Sequence, residues 1–127
     1  MTERSQNYPG GRVRILFISV ALLFVLVQNS PAAGKTVTCE IYSGGTVAFK
    51  GKCQYLPEAG GSFSLSNFKE KPLFEGVEIV SVTIVEKGVA EVRGLTSNGN
   101  NSRWGEATRS PTDKACWVGA DFKICAR

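Results

Sequence analysis

Four cysteines constrain this chain more than any other feature. They stand at positions 39, 53, 116 and 125, behind an N-terminal stretch that reads as an export signal. An even cysteine count in a short exported chain implies a disulfide framework, here two bridges with three possible connectivities. Spacing favours bridges between nearest neighbours. A two-residue turn at Ala120-Asp121 sets Gly119 against Phe122, Val118 against Lys123, Trp117 against Ile124 and Cys116 against Cys125. The cysteines then form a non-hydrogen-bonded pair, in which the facing Cβ atoms come close enough for a disulfide. Cys39 and Cys53 close a loop worth about 3 kcal/mol in the chain-entropy model. A simple hairpin about Gly44-Gly45 pairs Cys39 with Lys50 instead, so this bridge requires a bulge or a longer loop. Zinc fits the four thiols poorly, because no C-x-x-C pair and no histidine is present.

Arg12 and Arg14 lead into an apolar run from Ile15 to Val27, and Ser30-Pro31-Ala32-Ala33-Gly34 follows. A positive segment, an apolar core and small residues in that order make a secretory signal peptide. A helix over the apolar run is about 20 Å long, short of the roughly 30 Å hydrocarbon core of a bilayer. Cleavage after Ala32 or Ala33 is expected, leaving one domain over residues 34–127, periplasmic or secreted. The membrane is then met only during export, unless the signal stays as an anchor. A domain of this size buries only about 60–65% of its unfolded surface, so staples matter. Setting residues 1–33 aside lowers the net charge from +4 to +2, far from the one-sided basic field that nucleic-acid binding needs.

The exported part reads as short strands separated by turns. Val37 to Tyr42 and Thr46 to Lys50 flank Ser43-Gly44-Gly45, and Cys53 to Leu56 extends the second strand. Ser62 to Ser66 alternates, with Phe63 and Leu65 on one face. Asn67 to Gly76 is a loop. Val77 to Val85 is the strongest strand, and its phase changes at Ile79-Val80, where both faces are covered or a bulge intervenes. Glu86-Lys87-Gly88 turns the chain into Val89 to Leu95. Thr96 to Ser102 is an Asn/Gly/Ser loop tip, Ser102 to Arg109 another strand, and Ser110 to Asp113 a turn before the Cys116–Cys125 hairpin. No window of 11 or more residues here shows helical periodicity, and 12 of the chain's 14 glycines punctuate this part. The fold class is all-β: a small antiparallel sandwich or barrel with two disulfides.

Chemistry is sparse. Without histidine, the usual acid–base residue at neutral pH is missing. Ser62, Ser64, Ser66 and Ser81 occupy alternating strand positions, where solvent-facing serines are ordinary. Glu75 with Glu78, or Glu86 with Glu91, are near in sequence and make a carboxylate hydrolase the alternative from another class. No catalytic, metal or cofactor site is assigned. The best binding candidates are Asn98, Asn100, Arg103 and Trp104, a polar tip beside a charge and an indole. Their bland reading is a hairpin loop with Trp104 turned into the core. Trp117 reads as core, packed on the disulfide beside it. Asn100-Asn101-Ser102 has the form of a glycosylation sequon.

Ala115-Cys116-Trp117-Val118-Gly119, closing on Ile124-Cys125-Ala126-Arg127, resembles the ending of small exported two-disulfide proteins of Gram-negative bacteria. Cys39…Gly51-Lys52-Cys53 is similar to their first cysteine pair. The resemblance implies a periplasmic setting and no particular activity. Ser43-Gly44 and Lys87-Gly88-Val89-Ala90 match fragments of the periplasmic inhibitors of c-type lysozyme, at a separation that carries no residue roles across. The expectation is a non-enzymatic exported domain that binds an envelope or extracellular ligand or protein. An inhibitor of a lytic enzyme such as lysozyme is the second alternative.

Overall fold

The computed structural model describes residues 34–127, so the expected signal peptide lies outside the described residues. Eight strands follow one another: β1 Lys35–Ser43, β2 Thr46–Pro57, β3 Phe63–Ser66, β4 Val77–Glu86, β5 Val89–Thr96, β6 Asn101–Arg109, β7 Cys116–Gly119 and β8 Phe122–Ala126. Each pairs antiparallel with the next, and β8 pairs back onto β1, so the sheet closes into a barrel. Of the two architectures expected, the barrel is the one formed. An eight-stranded barrel has an interior just wide enough for side chains to fill.

Period-two alternation decides what fills it. Ile41, Leu65, Val80, Val82, Val92 and Ile124 point inward and are fully buried. Aromatic groups close the two ends. In an up-and-down barrel the turns alternate between rims, so turns 44–45, 67–76, 97–100 and 120–121 share the upper one. There Trp104 sits 6.1 Å from Phe74 and edge-on to Phe122 at 5.7 Å. Tyr55 stacks on Phe63 at 4.8 Å near the lower rim, where Trp117 also lies.

Both nearest-neighbour disulfides are present. The Cys116–Cys125 hairpin has the register expected from its sequence, with Trp117 against Ile124 and Val118 against Lys123. At the first bridge a bulge does intervene. Tyr42 pairs with Val47 but Ile41 pairs with Phe49, and this shift sets Cys39 against Gly51 instead of Lys50. Cys53 lies two pairs further along against Val37, on the same face, so the bridge runs diagonally inside the barrel, past a position without a side chain. One expectation needs correcting: Trp117 belongs to the core but does not pack on its neighbouring disulfide. Alternation turns the indole inward with Ile124 and sends Cys116 and Cys125 to the outer wall.

The phase change in β4 is a bulge at Glu78, between Val77 and Ile79, and a second at Val85 precedes the turn to β5. Ser62 and Ser64 are buried, against the expectation of solvent-facing hydroxyls. The reason is local: the 58–62 connection folds over them. Ile84 N–H donates to Ser62 Oγ at 2.9 Å, and Ser64 Oγ donates to Glu58 Oε2 at 2.7 Å.

Candidate functional site

Residues 96–104 carry all four binding candidates, and the structure divides them between two flanks of one hairpin. The tip is built by Thr96. Its N–H donates to Asn100 O at 2.8 Å, and its Oγ1 accepts the Asn100 N–H at 3.0 Å. The hydroxyl also bonds Asn98 Oδ1. Gly99 takes φ +89°, a left-handed conformation that a side chain would strain, and donates to Thr96 O at 2.9 Å. The tip is tied sideways to the 67–76 loop as well. Ser97 N–H donates to Gly76 O at 3.1 Å, and Ser97 Oγ donates to Glu78 Oε1 at 3.0 Å.

On one flank Gly76, Thr96, Ser97, Asn98, Asn100 and Ser102 line a recess of about 390 Å³. Every side chain in it is uncharged, and amides and hydroxyls dominate. The other flank begins with a bulge: Val92 pairs with Gly105, but Arg93 pairs with Arg103. The extra residue is Trp104, whose indole turns into the barrel over Gly94. A methyl group on Gly94 would come within 2.8 Å of the indole Nε1, so only glycine admits this packing. Trp104 stays half-buried, and its outer part lines a recess of about 220 Å³ with Ser43, Arg103, Asp121 and Phe122. Trp104 is therefore a core residue that also reaches the surface.

Arg103 is held on the outer wall. Its Nε donates to Glu91 Oε1 at 3.0 Å, and Arg93 Nη2 donates to the same oxygen at 2.8 Å. The hydrogen bond from Arg103, with the charges of both guanidinium groups, keeps the Glu91 carboxyl below the usual carboxylate range. Glu86, its expected partner in acid–base chemistry, lies at the end of β4 against Val89, whereas Glu91 pairs with Thr83. Glu78 is engaged by Ser97. Among the described residues no cluster of three or more histidine, cysteine or acidic side chains is placed to hold a metal ion.

Two further depressions escape a reading of the sequence. Gln54, Ser66, Ile79 and Leu95 form a row across the outside of β2 to β5, walled by Asn67, Glu70, Lys71 and Glu78 around about 350 Å³. At the lower rim Tyr55, Phe63, Ile84, Lys87, Arg109 and Trp117 surround about 240 Å³. The first is assembled by successive pairing of β2 to β5, whereas the second draws on β2, β3, β4, β6 and β7, which the closed barrel brings around one mouth. Compared with known proteins, the chain matches no family model, no curated protein and no solved structure.

Proposed function

We propose that residues 34–127 form an exported, non-enzymatic binding domain that engages an envelope or extracellular ligand through the β5–β6 hairpin. The observation that carries this reading is the hairpin's position between two recesses, one of amides and hydroxyls and one holding the reachable part of Trp104. Uncharged donors and acceptors beside an indole suit a polyhydroxylated ligand such as an oligosaccharide. The tip is held by its own hydrogen bonds, so little ordering entropy is lost on contact. Two disulfides favour an oxidising compartment. The ionised state of Glu91 speaks against its use as a general acid at neutral pH.

The test is a titration of the oxidised protein with an N-acetylglucosamine oligosaccharide, followed by amide chemical shifts. Shifts centred on Ser97, Asn98, Asn100, Ser102 and Trp104, weakened at least fivefold by Asn98→Ala with Asn100→Ala, support the reading. No shift at millimolar sugar, or release of a shortened sugar, overturns it.

A further inference from the structure

We infer that the lower mouth of the barrel is a second binding site, one that takes a small planar anion. Its floor and wall are aromatic: Phe63 and Trp117 are almost wholly buried, and half-buried Tyr55 stacks on Phe63. Cations stand around this surface. Lys87 and Arg109 line the recess, and the Arg109 guanidinium lies over the Trp117 ring at 5.3 Å. Lys35 lies over Tyr55 at 5.2 Å. No carboxylate lines the recess, and among the described residues none pairs with Lys35, Lys87 or Arg109.

Geometry holds these cations in place. Arg109 Nε donates to Lys114 O at 2.9 Å, which fixes the guanidinium above the indole and leaves its Nη atoms for a ligand. Lys87 sits at the tip of the β4–β5 turn, and Arg109 N–H donates to Gly88 O at 3.0 Å, so the two basic residues are joined through the backbone. Gly60 and Gly61 form the remaining edge, both with left-handed φ, and a methyl group on Gly60 would meet nothing within 4 Å. This side of the mouth is therefore open. A flat apolar body fits against Tyr55 and Ile84, and its acidic group is within the field of Lys87 and Arg109. A cation already resting on an aromatic face is partly desolvated, so a charge-assisted contact with an anion costs less there. Barrel mouths are regular places for small-molecule sites.

The site stands at the opposite end from the β5–β6 hairpin, so it succeeds or fails independently of the oligosaccharide reading. The test uses 1-naphthoate and its neutral isostere 1-naphthalenemethanol in calorimetric titrations of the oxidised protein from an exporting host. We expect naphthoate to bind with at least tenfold higher affinity than the alcohol. Lys87→Glu, and Lys87→Glu with Arg109→Gln, should each weaken naphthoate at least tenfold, whereas Lys50→Gln on the outer wall should change it less than twofold. Lys87 is exposed in a turn, so its variant reports on binding even where the Arg109 substitution disturbs folding. No binding of naphthoate, equal binding of the alcohol, or an equal loss in Lys50→Gln overturns the inference.

Discussion

Arg127 Nη2 donates to Glu40 Oε1 at 3.2 Å across 87 residues of sequence, and the pair sits on the seam where β8 meets β1. The other arm of the same guanidinium reaches Asp113 Oδ2 in the β6–β7 turn at 2.9 Å. Backbone bonds run alongside: Thr38 N–H donates to Arg127 O at 2.7 Å, and Arg127 N–H donates to Thr38 O at 3.0 Å. One terminal residue therefore joins three elements over the outer face of the Cys116–Cys125 bridge.

This clamp should make the seam acid-sensitive. The hydrogen bond from Arg127 is the leading cause that holds both the Glu40 and the Asp113 carboxyls below their usual range. A depressed folded-state value contributes stability that is fully present above the unfolded value and is lost as pH falls through the folded one. The melting temperature should therefore drop on acidification below about pH 4, where unfolded carboxylates take up protons. In Arg127→Gln the melting temperature should already be lower at pH 7, and the difference from wild type should shrink by pH 2. Thermal melts between pH 2 and 7 check this, and a gap independent of pH would refute it.

Gly119 and Phe122 should be strongly coupled. A methyl group on Gly119 would lie 2.2 Å from the Phe122 ring, so Gly119→Ala forces that ring out of place. Overpacking of this kind costs about 1–3 kcal/mol. In a Phe122→Ala background the same substitution should cost under about 0.5 kcal/mol, as expected once the clashing partner is gone. Urea unfolding of the four proteins in the cycle measures the difference.

The interior disulfide should matter more than its loop length implies. Cys39 and Cys53 are fully buried in the core, so replacing both with serine removes the cross-link and leaves two hydroxyls in apolar surroundings. A loss at or above about 4 kcal/mol is expected, the upper part of the range for removing a native bridge. Replacing both with alanine avoids the polar penalty and should cost at least about 1 kcal/mol less. Denaturant midpoints of the two variants, compared under oxidising conditions, test the order.

Thr96→Val should loosen the hairpin tip and spare the barrel. It removes the hydroxyl that bonds Asn98 and accepts the Asn100 N–H. A loss of about 1 kcal/mol follows for an exposed hydrogen bond of this kind. Amide exchange should quicken at Asn100 and remain unchanged at Val80, Val82 and Val92 in the core. Uniform acceleration at all four amides would contradict the local role given to Thr96.

Local patterns in the sequence determined the elements. The Val/Ile run of β4, the alternation of Phe63 and Leu65, and the turn at Ala120-Asp121 each act over a few residues, where strand pleat and turn chemistry dominate. The Cys116–Cys125 register followed from counting outward from that turn. The Cys39–Cys53 bridge was legible only as a need for a bulge, because the one-residue shift at Ala48 satisfies the pattern of both strands together. Closure was not readable locally: a sandwich and a barrel present the same alternation, and only the pairing of β8 with β1 separates them. A bulge in the β5–β6 pairing split the 96–104 segment. Asn98 and Asn100 stayed at the rim, while the bulge swung Trp104 onto Gly94, a residue ten positions earlier on the neighbouring strand. The lower mouth draws Tyr55, Lys87, Arg109 and Trp117 from four separate places in the chain. Such a site is set by barrel circumference and strand order, quantities that belong to the closed sheet as a whole.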